Sequence, residues 1–405
     1  MNILIINHYA GSPKLGMEFR PYYLAKEWVK QGHKVLIVGA TYSHLRKMQP
    51  SQFGEEVIDG IGYYWVKTNE YKGNGIGRII SMFLFVFKLW LQCGKLGKKI
   101  QPDVVIASST YPLDIYPAHK IAKRFNAKLI FEVHDLWPLS PMLIGGYSKF
   151  HPFIIMLQFA ENYAYKYSHK VVSLLWNAKK HMISHGMAPH KFIYIPNGYV
   201  PSEWEVLESE LPKKHAAVLN GLKHNNKFII GFAGGFAESG AIEIMLQAGN
   251  ILREQTNIVF VLVGKGIKES SYREFTANKK LDNIIILPAV EKKQVPLIVD
   301  CFDVAYLGGL HSILHQYGTS PNKLTDYMLA AKPILFSIDE PDSLVERLGC
   351  GICVEAENIK QLANAIMKFS GMSVEERMQM GNLGKKYAED NLQYRILANK
   401  FLTKI

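Results

Sequence analysis

Short apolar runs alternate with helical periodicity along most of this 405-residue chain, and the series runs twice. Ile3–Ile6, Lys34–Val38, Val104–Ala107, Lys128–Glu132 and Val171–Leu174 read as buried strands. The pattern restarts with Phe228–Phe232, Ile258–Val263, Ile284–Leu287, Val304–Tyr306 and Ile334–Ser337. A short run that is apolar throughout suits a strand covered on both faces, and intervening helices supply right-handed parallel crossovers. The expected fold class is α/β, with two doubly wound parallel sheets facing each other across a cleft. The expected first domain is 1–200, closed by the turn Pro196-Asn197-Gly198, and the second is 225–384. The polar, Lys-rich stretch 201–224 reads as a linker, and 385–405 as a helix packing back on the first domain.

Charge is unevenly placed. The net +12 divides into 24 Lys and Arg against 11 Asp and Glu through residue 200, and 23 against 24 beyond it. The first half therefore suits an anionic partner. Ile79–Phe87 is apolar and aromatic and is flanked by Arg78, Lys88, Lys95, Lys98 and Lys99. Lys88 interrupts it before the roughly 20 apolar residues that a span needs. Residues 76–100 fit a helix lying in an anionic membrane interface; the plainer alternative is a core helix with a solvated basic tail. Nucleic acid is not expected as a partner, since no module pattern for it occurs. Cys93, Cys301, Cys350 and Cys353 are too few and scattered for a disulfide scaffold, which suits a reducing cytoplasm. Cys350-Gly351-Ile352-Cys353 falls on an expected strand and reads as structural. Met1 leads straight into a strand, so no export signal is expected.

The segment from Gly318 to Leu335 carries the clearest chemistry. Gly318-Thr319-Ser320-Pro321 reads as a loop, Asn322 onward as a helix, and Pro333-Ile334-Leu335 as a buried strand. A helix start offers free N–H groups and partial positive charge to a phosphate, and Lys323 adds a full charge in the first turn. Asp326, three residues on, shares that face and suits ribose hydroxyls. Ligands of such sheets bind in loops after strands, here Asn7–Gly16, Ser108–Pro112, His134–Pro138, Gly234–Gly240, Gly264–Lys268, Ala289–Glu291 and Gly308–Asn322. Each residue also has a plain reading: His134 as a core hydrogen-bonder, Asp326 as an exposed helix residue, Glu18 and Arg20 as first-turn charges.

The ordered set of motifs resembles the two-Rossmann-domain (GT-B) glycosyltransferases of retaining family 4, particularly bacterial transferases of O-antigen, capsule or colanic-acid-type polysaccharides. The residues are Gly11 with Glu18-Phe19-Arg20, Gly32-His33-x-Val35, Glu132-Val133-His134-Asp135-Leu136-Trp137-Pro138, Pro196-Asn197-Gly198, Phe232-Ala233-Gly234, Leu262-Val263-Gly264-Lys265-Gly266 and Ser320–Met328. The resemblance implies a nucleotide-sugar donor bound by Gly234, Gly235, Lys265 and the helix start Ser320, Pro321, Asn322, Lys323 and Leu324. Asp326 would hold the ribose, Val290 in the Ala289–Glu291 loop would flank a uracil, and Gly11 would approach the diphosphate. His134 would contact the transferred sugar or the attacking hydroxyl. Catalysis would fall to His134, Lys323 and Asp326, with Glu18, Arg20 and Asp135 on the acceptor side.

Two departures stand out. The family's paired glutamates, eight residues apart, fall on Gly318 and Asp326, and its phosphate-side Arg and Lys fall on Gly235 and Gly240. Compensating charge is expected from Lys323, Lys265 and Arg20. No Asp-x-Asp pair occurs, so no cofactor is expected and leaving-group stabilisation should be metal-independent. The expected partners are a UDP-sugar, N-acetylated or deoxy, and a polyprenyl-linked acceptor. The expected location is cytoplasmic, peripheral on the inner face of the plasma membrane. The alternatives are a nucleotide-sugar epimerase on the same plan and a non-catalytic nucleotide-sugar or lipid-binding protein.

Overall fold

A computed structural model of the chain describes residues 1–16, 19–73, 75–204 and 210–405. It divides into two compact units: Met1–Asn197 with Tyr394–Ile405, and Gly198–Gln393.

In the first unit the strands are β1 (Asn2–Ile6), β2 (Lys34–Ala40), β3 (Gly54–Ile58), β4 (Ile61–Val66), β5 (Val104–Ala107), β6 (Lys128–Val133), β7 (Lys170–Ser173) and β8 (Phe192–Tyr194). Their order is β3-β4-β2-β1-β5-β6-β7-β8, and the neighbours pair in parallel except β3 with β4. That antiparallel pair is a hairpin on Asp59-Gly60, both at positive φ, as a two-residue primed turn requires. The Asp-Gly signal was present in the sequence, but this hairpin was not among the expected strands. Helix α1 (Arg20–Lys30) carries Pro21 in its first turn, where a fixed φ fits. Helix α2 spans Ile76–Ile100. From helix Tyr394–Lys404, the Ala398 carbonyl accepts from Trp28 Nε1 at 3.0 Å, and Tyr394 stacks on Tyr23.

The second unit has β9 (Phe228–Gly235), β10 (Ile258–Lys265), β11 (Ile284–Leu287), β12 (Val304–Gly308), β13 (Ile334–Ser337) and β14 (Gly351–Val354). All pair in parallel in the order β11-β10-β9-β12-β13-β14. Within the unit this is the 3-2-1-4-5-6 arrangement of a dinucleotide-binding sheet, whose order reverses between β9 and β12. Phe228, Ile230 and Phe232 enter one core and Ile229 and Ala233 another, so the sheet is covered on both faces.

The expected linker is not one. Residues 213–224 form helix Lys213–His224, whose Leu219 is fully buried in the second unit and whose His215 Nε2 lies 2.9 Å from the Pro288 carbonyl. His215, Leu219 and Leu222 fall at i, i+4 and i+7, a short stripe between Lys213-Lys214 and Lys223. The chain returns to the first unit at Tyr394 rather than 385, because helix Val374–Asn391 belongs to the second.

Candidate functional site

In the second unit, helix Asn322–Leu329 starts on Pro321, which places no side-chain acceptor on its first turn. Three glycines bring neighbouring chain close. A Cβ on Gly234 would strike the Lys323 side chain, one on Gly264 the Gly234 carbonyl, and one on Gly266 the Phe236 backbone. The Lys323 stem therefore crosses the end of β9, with Nζ 5.4 Å from the Phe232 ring centroid. Burial lowers the Lys323 pKa, and Asp326 raises it in part. Burial pushes the Asp326 carboxyl up to about 6 against the pull of Lys292 and Lys323. An arriving diphosphate would offset the desolvation of the Lys323 ammonium by placing opposite charge beside it.

Ser320, Pro321, Asn322 and Leu324 lie in or beside that first turn. Gly235 ends β9, and a Cβ there would meet nothing within 4 Å. Lys265 ends β10 with an exposed side chain, and Val290 packs against the core at the loop before Lys292. Two residues were missed by sequence reasoning. Tyr327 accepts from the Ala233 amide at 3.3 Å and so ties the helix to β9. Glu340, beyond β13, accepts from Thr319 Oγ1 at 2.5 Å, bringing a carboxylate beside the position where Gly318 lacks one. Its place on a different loop left no spacing signal.

In the first unit the ends of β1, β5 and β6 are joined. Asn7 Nδ2 donates to the Ser108 carbonyl at 2.7 Å. Ser108 Oγ donates to Glu132 Oε2 at 2.6 Å, and His134 Nε2 lies 3.0 Å from Ser108 Oγ and 3.3 Å from Glu132 Oε2. Since the Ser108 proton goes to Glu132, Nε2 of His134 acts as the donor and Nδ1 is left for a ligand. Burial pushes Glu132 up, but Arg20, His134 and Ser108 together outweigh it and hold the carboxylate at about 2.

Arg20 has a different task from the one expected. It bonds Glu132 at 3.0 Å and the carbonyls of Pro196 and Ile195, and is almost fully buried, so it acts as a strut and not as a phosphate ligand. Asp135 Oδ1 accepts from Leu136 N and Ser140 Oγ and shapes the loop beyond His134. The Gly11 carbonyl accepts from Tyr63 at 2.9 Å. Glu18 lies outside the described residues. A pocket of about 230 Å³ beside Asp135 is walled by Ile79, Met82 and Trp137. At its edge the Arg78 guanidinium sits 5.2 Å from the Tyr9 ring and 5.7 Å from that of Trp137.

Residues 16–203 match the family model Glycosyltransferase Family 4, and residues 227–370 match Glycosyl transferases group 1. The chain is a GT-B glycosyltransferase of the family 4 type. Among solved structures the fold of this glycosyltransferase is similar to Anabaena HepE in complex with UDP and glucose (TM-score 0.65, 14% identity, covering 100% of this chain and 98% of that one). It is also similar to sucrose-phosphate synthase from Thermosynechococcus elongatus (0.72, 12%, 99% and 97%). A third is WaaG, a glycosyltransferase involved in lipopolysaccharide biosynthesis (0.64, 13%, 98% and 98%). Among curated proteins none matches significantly.

Proposed function

We propose that this glycosyltransferase moves a hexose, N-acetylated or deoxy, from UDP to a polyprenyl-diphosphate-linked saccharide at the inner face of a bacterial plasma membrane, in surface-polysaccharide assembly. The observation that carries the donor half is the Lys323 stem lying across Gly234 beside a helix start with no side-chain cap. That arrangement aims an ammonium and first-turn amides at one small volume, where a leaving diphosphate is stabilised as its charge develops. HepE, similar in fold, is seen with UDP and with UDP-glucose.

Retention follows if the acceptor hydroxyl attacks the face that UDP leaves. The anomeric C–O bond to phosphate breaks, the new C–O bond forms, and the hydroxyl proton passes to the departing phosphate oxygen. No protein nucleophile is needed, and Lys323 with the helix start supplies the leaving-group stabilisation without metal. His134 Nδ1 is suited to a sugar hydroxyl.

The acceptor half rests on α2. Ile76, Ile80, Phe83, Phe87, Trp90 and Leu91 are all exposed. Their spacing sets them on one face, opposite the buried Met82, Phe85, Leu89, Cys93 and Leu96. Lys120 lies 4.1 Å over the Trp90 ring, and Lys88, Lys95, Lys98 and Lys99 fall from the middle of the same helix onward. Exposed aromatic residues on a helix that also carries cations suit an anionic lipid surface, and the Arg78 pocket next to it suits a lipid-linked phosphate.

Incubation with labelled UDP-sugars and a polyprenyl-diphosphate-linked saccharide tests this reading. Label should enter the lipid fraction at a rate that added Mg²⁺ does not raise. Epimerised donor, or tight binding without transfer, would select one of the alternatives instead.

A further inference from the structure

A second cluster of chemically able side chains contains none of the residues assigned above. Helix Pro152–Tyr167 precedes β7 and the short helix Lys179–Ser184 follows it. Between them they bring Glu161, His181 and His185 together, with one donor atom from each lying within 4.8 Å of the other two. His181 and His185 are four residues apart, on one face, with ring centroids 4.3 Å apart. His181 Nε2 lies 3.4 Å from Glu161 Oε1. Two ligands, each about 2.0–2.1 Å from a zinc ion and at the tetrahedral angle, stand roughly 3.4 Å apart. That edge is already formed.

The surroundings orient the same atoms. Tyr165 Oη donates to Glu161 Oε1 at 2.8 Å, and Gln158 Nε2 donates to Oε2 at 2.7 Å. His185 Nδ1 lies 2.9 Å from the His181 carbonyl, which can only accept, so Nδ1 carries the proton and Nε2 keeps its lone pair. Such outer hydrogen bonds are what hold ligating carboxylates and imidazoles in register. The Glu161 and His181 side chains are 2% and 8% exposed, while His185 is half-buried. A carboxylate this deep calls for a cation beside it.

We propose that Glu161, His181 and His185 bind a zinc ion that clips helix Pro152–Tyr167 to the Lys179–Ser184 turn, with water in the fourth position. Two imidazoles and one carboxylate favour Zn²⁺ or Co²⁺ over Mg²⁺ and Ca²⁺. The ion takes no part in sugar transfer, and the proposal does not depend on the donor or acceptor.

Full-length protein, stripped with chelator and then dialysed free of it, is titrated with Co²⁺ and followed by visible d–d absorption. One equivalent should bind and be displaced by Zn²⁺, and Zn²⁺ but not Mg²⁺ should raise the melting temperature. His185→Ala, at the half-buried ligand, should weaken Co²⁺ affinity by more than the roughly 10- to 100-fold that losing an outer hydrogen-bond partner costs, and abolish the zinc-dependent shift. Glu161→Gln, which keeps the shape, should do the same. Binding that survives both substitutions places the ion on other histidines and overturns the proposal. Absence of any zinc effect on the parent protein overturns it too, leaving a plain Glu161–His181 ion pair.

Discussion

Lys323 sits where steric fit and charge meet: its stem needs Gly234 bare, and its ammonium is partly desolvated next to Asp326. Lys323→Met keeps the stem and removes the charge. Transfer should fall about 10²–10³-fold, the usual cost of losing one group that stabilises developing charge, with melting temperature nearly unchanged. A variant of parental activity would remove Lys323 from the reaction. Asp114 is a second informative residue. It is fully buried, Oδ2 accepts from the Ser109 amide at 2.9 Å, and burial pushes its carboxyl from 3.8 up to about 7. A raised folded-state pKa means stability that is complete below about pH 4 and is lost as pH rises through about 7. Asp114→Asn should therefore match the parent near pH 4 and exceed it at pH 8, by something on the order of a few kcal/mol. Urea midpoints across that range give the sign; a gap that widens toward acid would contradict it.

At the scale of elements, the ends of β9 and β10 depend on missing side chains. Gly234 has φ of 154°, and a Cβ there meets the Lys323 stem, while one on the adjacent Gly235 meets nothing within 4 Å. Gly234→Ala should cost about 1–3 kcal/mol of stability through strain and overpacking, and should weaken UDP binding as Lys323 moves. Gly235→Ala should do neither. Denaturant midpoints and UDP calorimetry on the pair separate local fit from a general intolerance of this turn. The same element shows how legibility varied. Strands β9 and β10 were plain in sequence because both faces are buried and nearly every position is apolar. Helix Lys213–His224 was not, because only a narrow stripe is buried and solvated lysines flank it at both ends.

Over the whole molecule, the excess of positive charge lies in the first 200 residues, and the same half carries the outward aromatic stripe of α2. The membrane association proposed above would reside in that stripe. Replacing Phe83, Phe87 and Trp90 together by Ser removes three large apolar contacts, each worth roughly 1.5–3 kcal/mol when fully buried. Co-sedimentation with vesicles containing anionic lipid should drop by at least tenfold, and UDP affinity should stay as in the parent. Unchanged vesicle binding would assign the interface to another surface.

The sequence alone determined the strand–helix alternation, the two sheets, the helix start at Asn322 and the positions of Lys323, Asp326 and His134, because each leaves a local mark: an apolar run, a turn residue, a charge in a first turn. Tertiary structure decided what those residues touch. It turned Arg20 from an expected phosphate ligand into a buried partner of Glu132, brought Glu340 beside the gap left at Gly318, and joined Glu161 to two histidines. Arg20 and Glu132 are 112 residues apart in the chain, and pairing at such separation is set by how strands order themselves in a sheet, which no local pattern encodes.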